Sequence, residues 1–208
     1  MIKQPSNPNE IPEIFSRNAP GSFSILNKAK VGIAGAGGLG SNIAILLTRT
    51  GIGHLVVADF DVVVPNNLNR QAYFQEHIGK AKVIALGEIL RKINPEIQYE
   101  QHQVNLDKTN IPELFKDVDV MVEAFDDALM KSMLIETWLG SKSHAPIIGA
   151  SGLAGYGRSE EIRIRRSGRL ILVGDCISDL SMGLMAPRVM QVAAIQANLV
   201  VEYLMERG

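Results

Sequence analysis

Residue types that can act on phosphate groups follow the first apolar stretches of the sequence. The turn "AGAGGLGSN" comes first, and its Gly35, Gly37 and Gly40 have the G-x-G-x-x-G spacing. Such a turn between a strand and a helix offers backbone N–H groups to a phosphate. Asp59 ends the next apolar stretch, where a carboxylate can accept hydrogen bonds from a ribose. These features predict a nucleotide site, but they do not separate NAD from ATP.

The segment 60–79 follows Asp59 and shows no sustained helix or strand period. Loops of this length in compact domains are usually functional or disordered. The segment combines amide side chains with one arginine and two aromatic residues: Asn66, Asn67, Asn69, Arg70, Gln71, Tyr73 and Phe74. We expect the two aromatic residues to pin the segment to the core. A solvated asparagine-rich turn is the alternative, but the embedded arginine and the aromatic anchors favour a wall of the nucleotide pocket.

Two further charged residues complete a coherent set with Arg70. Lys82 opens the helix after the long segment, and Asp126 follows the fourth apolar stretch. All three would meet at the carboxyl ends of a parallel sheet, where ligands bind. Cations there would neutralise a triphosphate, and the carboxylate could hold Mg²⁺. Nucleotidyl transfer uses such a set because charge builds up on the α-phosphate and the leaving pyrophosphate. Hydride transfer does not need it.

The elements that must position these residues alternate along the chain. Strands are expected at 30–36, 54–60, 96–104, 118–125 and 145–151, and helices at 39–50, 80–93, 111–116 and 127–139. This alternation predicts an α/β, Rossmann-like, doubly wound and mostly parallel sheet.

The two ends of the chain depart from this alternation. Polar and apolar residues alternate over 160–175, which predicts a C-terminal β-hairpin added to the sheet edge. Pro187 would open a long C-terminal helix. Residues 1–20 are expected to form an N-terminal arm with a short helix near 11–17.

Composition bounds the class of protein. The 208 residues, 46% of them hydrophobic, suffice for a single domain over 1–208. With 21 basic and 22 acidic residues, no global field recruits nucleic acid or an anionic membrane. The N-terminus lacks the apolar core of a signal peptide. A single cysteine, Cys176, excludes an intrachain disulfide framework. We therefore expect a soluble, cytoplasmic protein.

Several separated motifs resemble, in order, those of the ThiF/MoeB/HesA family, bacterial relatives of the ubiquitin-activating enzymes. They are "GAGGLGSN", "DFDVVVPNNLNRQ", "IGKAKV", "RKINPEI" and "EAFDDALMK". The resemblance covers roughly residues 17–150, and "GLMAPRV" with "QANLVVE" is similar to the tail of a shorter thiamine-pathway ThiF subgroup. It implies ATP-dependent adenylation of the C-terminal glycine of a small ubiquitin-like sulfur-carrier protein ending in Gly-Gly, with thiamine (thiazole) biosynthesis as the expected pathway.

The resemblance also implies a role for individual residues. It assigns ATP binding to Gly35, Gly37, Gly38, Gly40, Asp59, Asp61, Asn66, Asn67, Asn69 and Asp127. Arg70 would contact the phosphates, Lys82 would neutralise charge during adenylation, and Asp126 would position Mg²⁺. Residues 156–183 would form a crossover region that contacts the carrier. The resemblance further implies a homodimer in which an arginine of the partner's N-terminal arm reaches ATP. Arg17 is the candidate, and an ordinary surface arginine is the alternative.

The sequence departs from the family pattern in its cysteines. Many members hold a structural zinc with two C-x-x-C pairs, which this sequence lacks, so zinc is not expected. Some members use a cysteine to form a covalent link with the carrier. Cys176 is a candidate for this thiol, although an inert side chain is the favoured interpretation, since reactivity requires a lowered pKa.

Other functions remain open at this point. A molybdopterin-type carrier would be activated by the same residues. A related branch of the family activates a carbonyl oxygen on a modified tRNA base, although the near-neutral charge makes a nucleic-acid partner unlikely. An NAD-linked oxidoreductase would keep the glycine turn and Asp59 but would leave Arg70, Lys82 and Asp126 unexplained. A non-catalytic scaffold would bind no nucleotide.

Overall fold

The computed structural model describes residues 11–207, so the part of the predicted arm before Ile11 lies outside the described residues. Its strands are β1 (Lys30–Ala34), β2 (His54–Ala58), β3 (Gln98–His102), β4 (Val120–Glu123), β5 (Ile147–Ala150), β6 (Arg163–Ser167) and β7 (Leu170–Gly174). Its α-helices are α1 (Ser22–Leu26), α2 (Gly38–Thr50), α3 (Lys82–Ile93), α4 (Ile111–Leu114), α5 (Ala128–Gly140) and α6 (Ala186–Arg207).

The strands form one seven-stranded sheet in the order β3-β2-β1-β4-β5-β7-β6. Every neighbouring pair is parallel except β6 and β7. The strand order reverses between β1 and β4, which is the switch point where doubly wound folds bind ligands. This arrangement confirms the predicted Rossmann-like α/β fold with an added hairpin and a long C-terminal helix.

Apolar residues on both faces of the central strands explain why helices cover both sides. In β1, Val31 and Ile33 face the larger core cluster, which also contains the apolar sides of α2, α3 and α6. The alternate residue Ala34 belongs to the second cluster, under α4 and α5. Trp138 of α5 is buried there, and its indole N–H donates to the Ala145 carbonyl at 3.0 Å. Side-chain alternation along each strand thus divides the core into two layers.

The hairpin lengthens the sheet by two strands. Strand β7 pairs in parallel with β5, and only β6 is antiparallel. The apolar sequence of β7 fits its inner position, whereas all five residues of β6 are exposed at the edge. Arginines at such an edge discourage pairing with another strand.

The described part of the N-terminal arm is anchored to the core. A short 3-10 helix, Glu13–Phe15, lies in the predicted position, and α1 follows it without having been predicted. Phe15 is only 3% exposed, and its ring stacks on Phe23 with 5.2 Å between centroids. The arm therefore contributes packing in its own chain.

Phe15→Ala is expected to lower the free energy of unfolding by about 3 kcal/mol, because it empties a buried aromatic site. Urea denaturation monitored by circular dichroism measures the change. Ile14→Ala is the matched control, since Ile14 is exposed and its truncation should cost less than about 1 kcal/mol. Equal losses for the two variants would contradict the anchoring of the arm by Phe15.

Among residues 11–207, no helix is both long enough and apolar enough to cross a membrane.

Candidate functional site

A cleft of about 840 Å³ opens at the carboxyl ends of the parallel strands. Most of the residues that line it follow β1, β2, β3, β4 and β5. Others come from the long segment before α3, from the first residue of α3, from the segment after β7 and from the beginnings of α5 and α6. Nine residues predicted for ATP binding or catalysis line this cleft together: Gly35, Gly37, Gly38, Asp59, Asp61, Arg70, Lys82, Asp126 and Asp127. A volume of this size is in the range of sites for nucleotide-sized ligands.

The glycine turn is shaped by close backbone contacts. Gly35 has φ +100°, a conformation that side chains rarely adopt. An alanine Cβ at Gly40 would lie 1.9 Å from the Gly35 carbonyl oxygen. Gly40 does not line the cleft; it lets α2 approach β1. Gly37 and Gly38, at the start of α2, instead line the cleft; a Cβ built at Gly37 would have its nearest atom at 3.9 Å, whereas one at Gly38 would lie 3.0 Å from Val189.

Asp59 joins the glycine turn to the end of β2. Its carboxylate accepts backbone hydrogen bonds from Ala36 at 2.6 Å and from Asp61 at 2.8 Å. Burial raises the pKa of Asp59, although Lys82 and the two N–H donors oppose the rise. The carboxylate is fixed beside the turn, with lone pairs left for a ribose hydroxyl.

Lys82 is held at the cleft by an ion pair. Its ammonium group lies 2.7 Å from the Asp61 carboxylate, and the whole residue is only 6% exposed. The buried Tyr73 hydroxyl donates to the Ala36 carbonyl at 2.7 Å and thereby ties the long segment to the glycine turn. An anionic ligand would find a cation here whose position is fixed by burial.

The long segment presents Arg70 to the cleft. One Arg70 nitrogen donates to the Asn66 carbonyl at 3.0 Å and to the Asn69 side chain at 2.8 Å. Asn42, which the sequence did not single out, donates to the Arg70 carbonyl at 2.9 Å. The buried Asn67 caps the turn by accepting from the Val64 N–H at 3.1 Å. Asn66, Asn67 and Asn69 do not line the cleft in this structure; they support the arginine that does.

We expected both aromatic residues to anchor the long segment to the core, and this expectation holds for Tyr73 but is wrong for Phe74. Tyr73 is buried, as expected, but Phe74 is 57% exposed. Two 3-10 helices, Pro65–Asn67 and Gln75–His77, give the segment its own structure. The buried His77 accepts a hydrogen bond from the Phe74 N–H at 3.0 Å and takes the anchoring place predicted for the phenylalanine.

Asp126 and Asp127 occupy different environments although they are neighbours. Asp127 caps α5 by accepting from the Met130 N–H at 2.8 Å. Within residues 11–207, no hydrogen bond or ion pair engages the Asp126 carboxylate, which is exposed at the cleft. No cluster of three or more metal-ligating side chains occurs in the same described range. A single exposed carboxylate fits Mg²⁺, which often binds proteins through one carboxylate together with ligand phosphates, and Asp126 is the residue that would hold it.

An ion pair with a buried carboxylate, at the end of β4, was not predicted from the sequence. Glu123 is completely buried, and its carboxylate lies 2.5 Å from the Lys131 ammonium group. It also accepts from the Phe125 N–H at 2.8 Å. Burial raises the pKa of Glu123, whereas Lys131 opposes the rise. Lys131 lines the cleft, and although Glu123 and Lys131 begin and end the motif "EAFDDALMK", the motif did not reveal that they pair.

Two predicted site residues lie away from the cleft of their own chain. Arg17 is exposed next to the buried Phe15 and is not among the residues that line the cleft. Cys176 is exposed with φ +60°, and an Arg165 nitrogen lies 2.7 Å from its sulfur. The predicted crossover region, 156–183, contains exposed apolar side chains, with Tyr156 and Ile177 the most exposed among them.

Comparison with known proteins identifies the family. The family model described as ThiF family matches residues 15–207. The adenylyltransferase and sulfurtransferase uba4 of Emericella nidulans is 36% identical over 136 residues, which cover 64% of this chain and 27% of that protein. The adenylyltransferase and sulfurtransferase MOCS3 of Xenopus laevis is 31% identical over 134 residues, or 64% of this chain and 29% of that protein. The chain thus spans less than a third of the length of these relatives.

Solved structures show the same fold at low sequence identity. The E. coli tRNA N6-threonylcarbamoyladenosine dehydratase TcdA, in complex with AMP, has a TM-score of 0.81 and 20% identity, over 89% of this chain and 90% of that one. E. coli MccB, solved with AMPCPP and MccA, has a TM-score of 0.72 and 22% identity, over 90% of this chain and 59% of that one. The family match confirms the resemblance drawn from the motifs: this chain belongs to the ThiF family.

Proposed function

We propose that this chain is an ATP-dependent adenylyltransferase that activates the C-terminal glycine of a small ubiquitin-like sulfur-carrier protein. The observation that carries the proposal is the meeting of Arg70, Lys82 and Asp126 with the glycine turn in one cleft. An NAD-linked oxidoreductase would use the turn and Asp59 but has no use for two cations and a carboxylate around the phosphates. The uba4 and MOCS3 relatives, named as adenylyltransferases, support the same conclusion.

The order of strands suggests how ATP would lie. Asp59 follows β2 and would accept hydrogen bonds from the ribose. The turn Gly35–Gly38 follows the neighbouring β1 and would offer its N–H groups to the phosphates. Asp126 follows β4, on the other side of β1, and would hold Mg²⁺. When bound, Mg²⁺ would neutralise phosphate charge.

The chemical step exchanges the phosphoanhydride bond between the α- and β-phosphates of ATP for a mixed anhydride bond between a carboxylate and the α-phosphate. A carboxylate oxygen of the terminal glycine would attack the α-phosphorus, and the bond from that phosphorus to the bridging oxygen would break, releasing pyrophosphate and leaving an acyl-adenylate. No general base is needed, because the carboxylate is already ionised. Arg70 and Lys82 would stabilise the charge that develops on the phosphates, since fixed cations in a desolvated site act strongly. Lys82 would exchange Asp61 for phosphate as its partner.

The finer parts of the proposal rest on the resemblance of the tail. Residues "GLMAPRV" and "QANLVVE", within and before α6, favour the thiamine (thiazole) pathway over a molybdopterin-type carrier. We further propose a cytoplasmic homodimer in which the partner subunit's Arg17 reaches ATP. The exposed position of Arg17, next to the anchored Phe15, is compatible with that role.

Pyrophosphate exchange tests the activity. The protein is mixed with Mg·ATP, labelled pyrophosphate and either a thiamine-type or a molybdopterin-type carrier ending in Gly-Gly. We expect label in ATP only with a carrier, and more with the thiamine-type carrier. Label exchange that needs total tRNA and no carrier would instead favour ATP-dependent modification of tRNA, since TcdA is named as a tRNA dehydratase. Calorimetric titration should show binding of ATP but not of NAD; the reverse result would contradict the proposal.

A further inference from the structure

Two loops form the side of the cleft farthest from Asp59. The first, 151–157, follows β5, and the second, 175–184, follows β7. Ser151–Ala154 of the first loop and Ser178–Leu180 of the second line the cleft. We call the two loops together the far wall. Nothing in the proposed placement of ATP uses the far wall, because β5 is three strands away from β2, or roughly 14 Å at the usual strand spacing.

A buried ion pair joins the far wall to α6. An Arg188 nitrogen lies 2.5 Å from the Asp175 carboxylate, and the two side chains are 3% and 1% exposed. The other Asp175 oxygen accepts from the N–H groups of Ile177 and Ser178, both at 2.8 Å. Asp175 therefore shapes the second loop with one oxygen and holds α6 with the other.

The same arginine reaches the first loop. Its second nitrogen donates to the Gly157 carbonyl at 2.6 Å and to the Arg158 carbonyl at 3.2 Å. The loops also contact each other, since the Ala154 N–H donates to the Ser178 hydroxyl at 3.1 Å. Arg188 is thus the point at which α6 and both loops of the far wall meet.

Conformational strain gathers around this pair. Arg158 and Cys176 are the two residues other than glycine with positive φ in the described range 11–207, at +53° and +60°. Arg158 supplies one of the two carbonyls that Arg188 holds, and Cys176 directly follows Asp175, whose carboxylate pairs with Arg188. A buried ion pair is a weak source of stability compared with apolar packing, and strained backbone persists where the surrounding structure fixes it. The pair is therefore better explained by loop geometry than by stability.

We propose that Arg188 and Asp175 are positioning residues for the acceptor: together they fix the far wall against which the carrier's C-terminal tail lies while its carboxylate attacks. This inference rests on the proposed function. In the proposed placement, the ribose lies beyond the end of β2 and the phosphates lie beyond the end of β1. The far wall is the side of the cleft that ATP would then leave open. A loose wall would leave ATP in place but misplace the incoming carboxylate, and small misplacements of a reacting group can cost about a hundredfold in rate.

The test variant combines Asp175→Asn with Arg188→Met. Removing both charges together avoids a lone buried charge, and the asparagine oxygen can still accept from the N–H groups of Ile177 and Ser178. We expect kcat/KM for the carrier in pyrophosphate exchange to fall about a hundredfold, and the dissociation constant for ATP to change less than about twofold. Hydrogen exchange of both loops should quicken, while that of the turn Gly35–Gly38 stays unchanged.

The matched control removes a different ion pair of α6, which is exposed and joins this helix to β6 of the hairpin. Arg166 lies 2.6 Å from Glu202, and Arg166→Met with Glu202→Gln should leave all these measurements unchanged. Arg188→Lys, which keeps the charge but has a single nitrogen, should give an intermediate loss and serves if the double variant does not fold.

Three results would overturn the inference. They are an unchanged kcat/KM for the carrier, a loss of ATP affinity as large as the loss in kcat/KM, or unchanged hydrogen exchange in both loops. If the wild-type protein shows no carrier-dependent exchange, the proposed function has failed. The hydrogen-exchange comparison then decides separately whether the pair fixes the far wall.

Discussion

Asp126→Ala is expected to lower carrier-dependent pyrophosphate exchange at least about a hundredfold. The Asp126 carboxylate is exposed at the cleft and is proposed to hold Mg²⁺ against the phosphates. Removing a group that stabilises transition-state charge typically costs several kcal/mol of the barrier, which corresponds to a factor of this size. The free energy of unfolding should change little, because the residue is exposed and no hydrogen bond or ion pair within residues 11–207 engages this carboxylate. Initial rates over a range of Mg²⁺ concentrations measure the effect.

The neighbouring residue supplies the matched control. Asp127 caps α5, and Asp127→Ser keeps a side-chain oxygen for that cap. If Asp127 contributes only as a cap, exchange should stay within about threefold of the wild type, whereas Asp127→Ala should cost about 1 kcal/mol of stability. A large loss of exchange in Asp127→Ser with little loss in Asp126→Ala would reverse the proposed roles.

Gly40→Ala is expected to have the largest effect on the glycine turn. The new Cβ would lie 1.9 Å from the Gly35 carbonyl oxygen, and both positions belong to backbone that cannot easily move. Overpacking of this kind costs about 3 kcal/mol or more and would displace the start of α2. We expect a lowered melting temperature and loss of ATP binding in calorimetry.

Substitutions at two other glycines distinguish an effect on packing from an effect on ATP binding. Gly140→Ala, at the end of α5, meets no atom within 4 Å and should leave the melting temperature nearly unchanged. Gly38→Ala meets the side chains of Val189 at 3.0 Å and Arg70 at 3.6 Å and no backbone atom, so a small shift of these side chains should let the fold survive. Its methyl group would nevertheless face the cleft and weaken ATP binding. A stable Gly40→Ala protein that binds ATP normally would contradict this account of the turn.

The sequence predicted the parts of the fold that depend on local pattern. Apolar runs located β1, β2, β4 and β5, and the alternation around Ser167-Gly168 located the hairpin. Each of these strands was predicted up to two residues too long at one or both ends, and several of the extra residues at the carboxyl ends belong to loops that line the cleft. The parallel pairing of β7 with β5 carried no local signal, since it depends on a partner far away in the sequence.

The sequence predicted that one set of charged residues would meet, but it did not predict two ion pairs near them, and the roles of the set stay predictions. Arg70, Lys82 and Asp126 stand in motifs, and the structure brings them to one cleft. Glu123 and Lys131 stand in the motif "EAFDDALMK", but the motif did not reveal that they form an ion pair, and no motif joins the buried pair of Asp175 and Arg188. The asparagines of the long segment were assigned to the nucleotide, whereas Asn66 and Asn69 contact Arg70 in this structure, because residue type does not reveal side-chain direction.

Transfer of labelled AMP to a carrier tests the central claim most directly. The protein is incubated with Mg²⁺, ATP labelled at the α-phosphate, and a small ubiquitin-like carrier, beside the same carrier with an amidated terminal glycine. We predict label on the free-carboxylate carrier, its release by hydroxylamine as expected of an acyl-adenylate, and none on the amidated carrier. Equal labelling of both carriers, or none on any carrier while ATP remains bound, would contradict adenylation of the terminal carboxylate in this cleft.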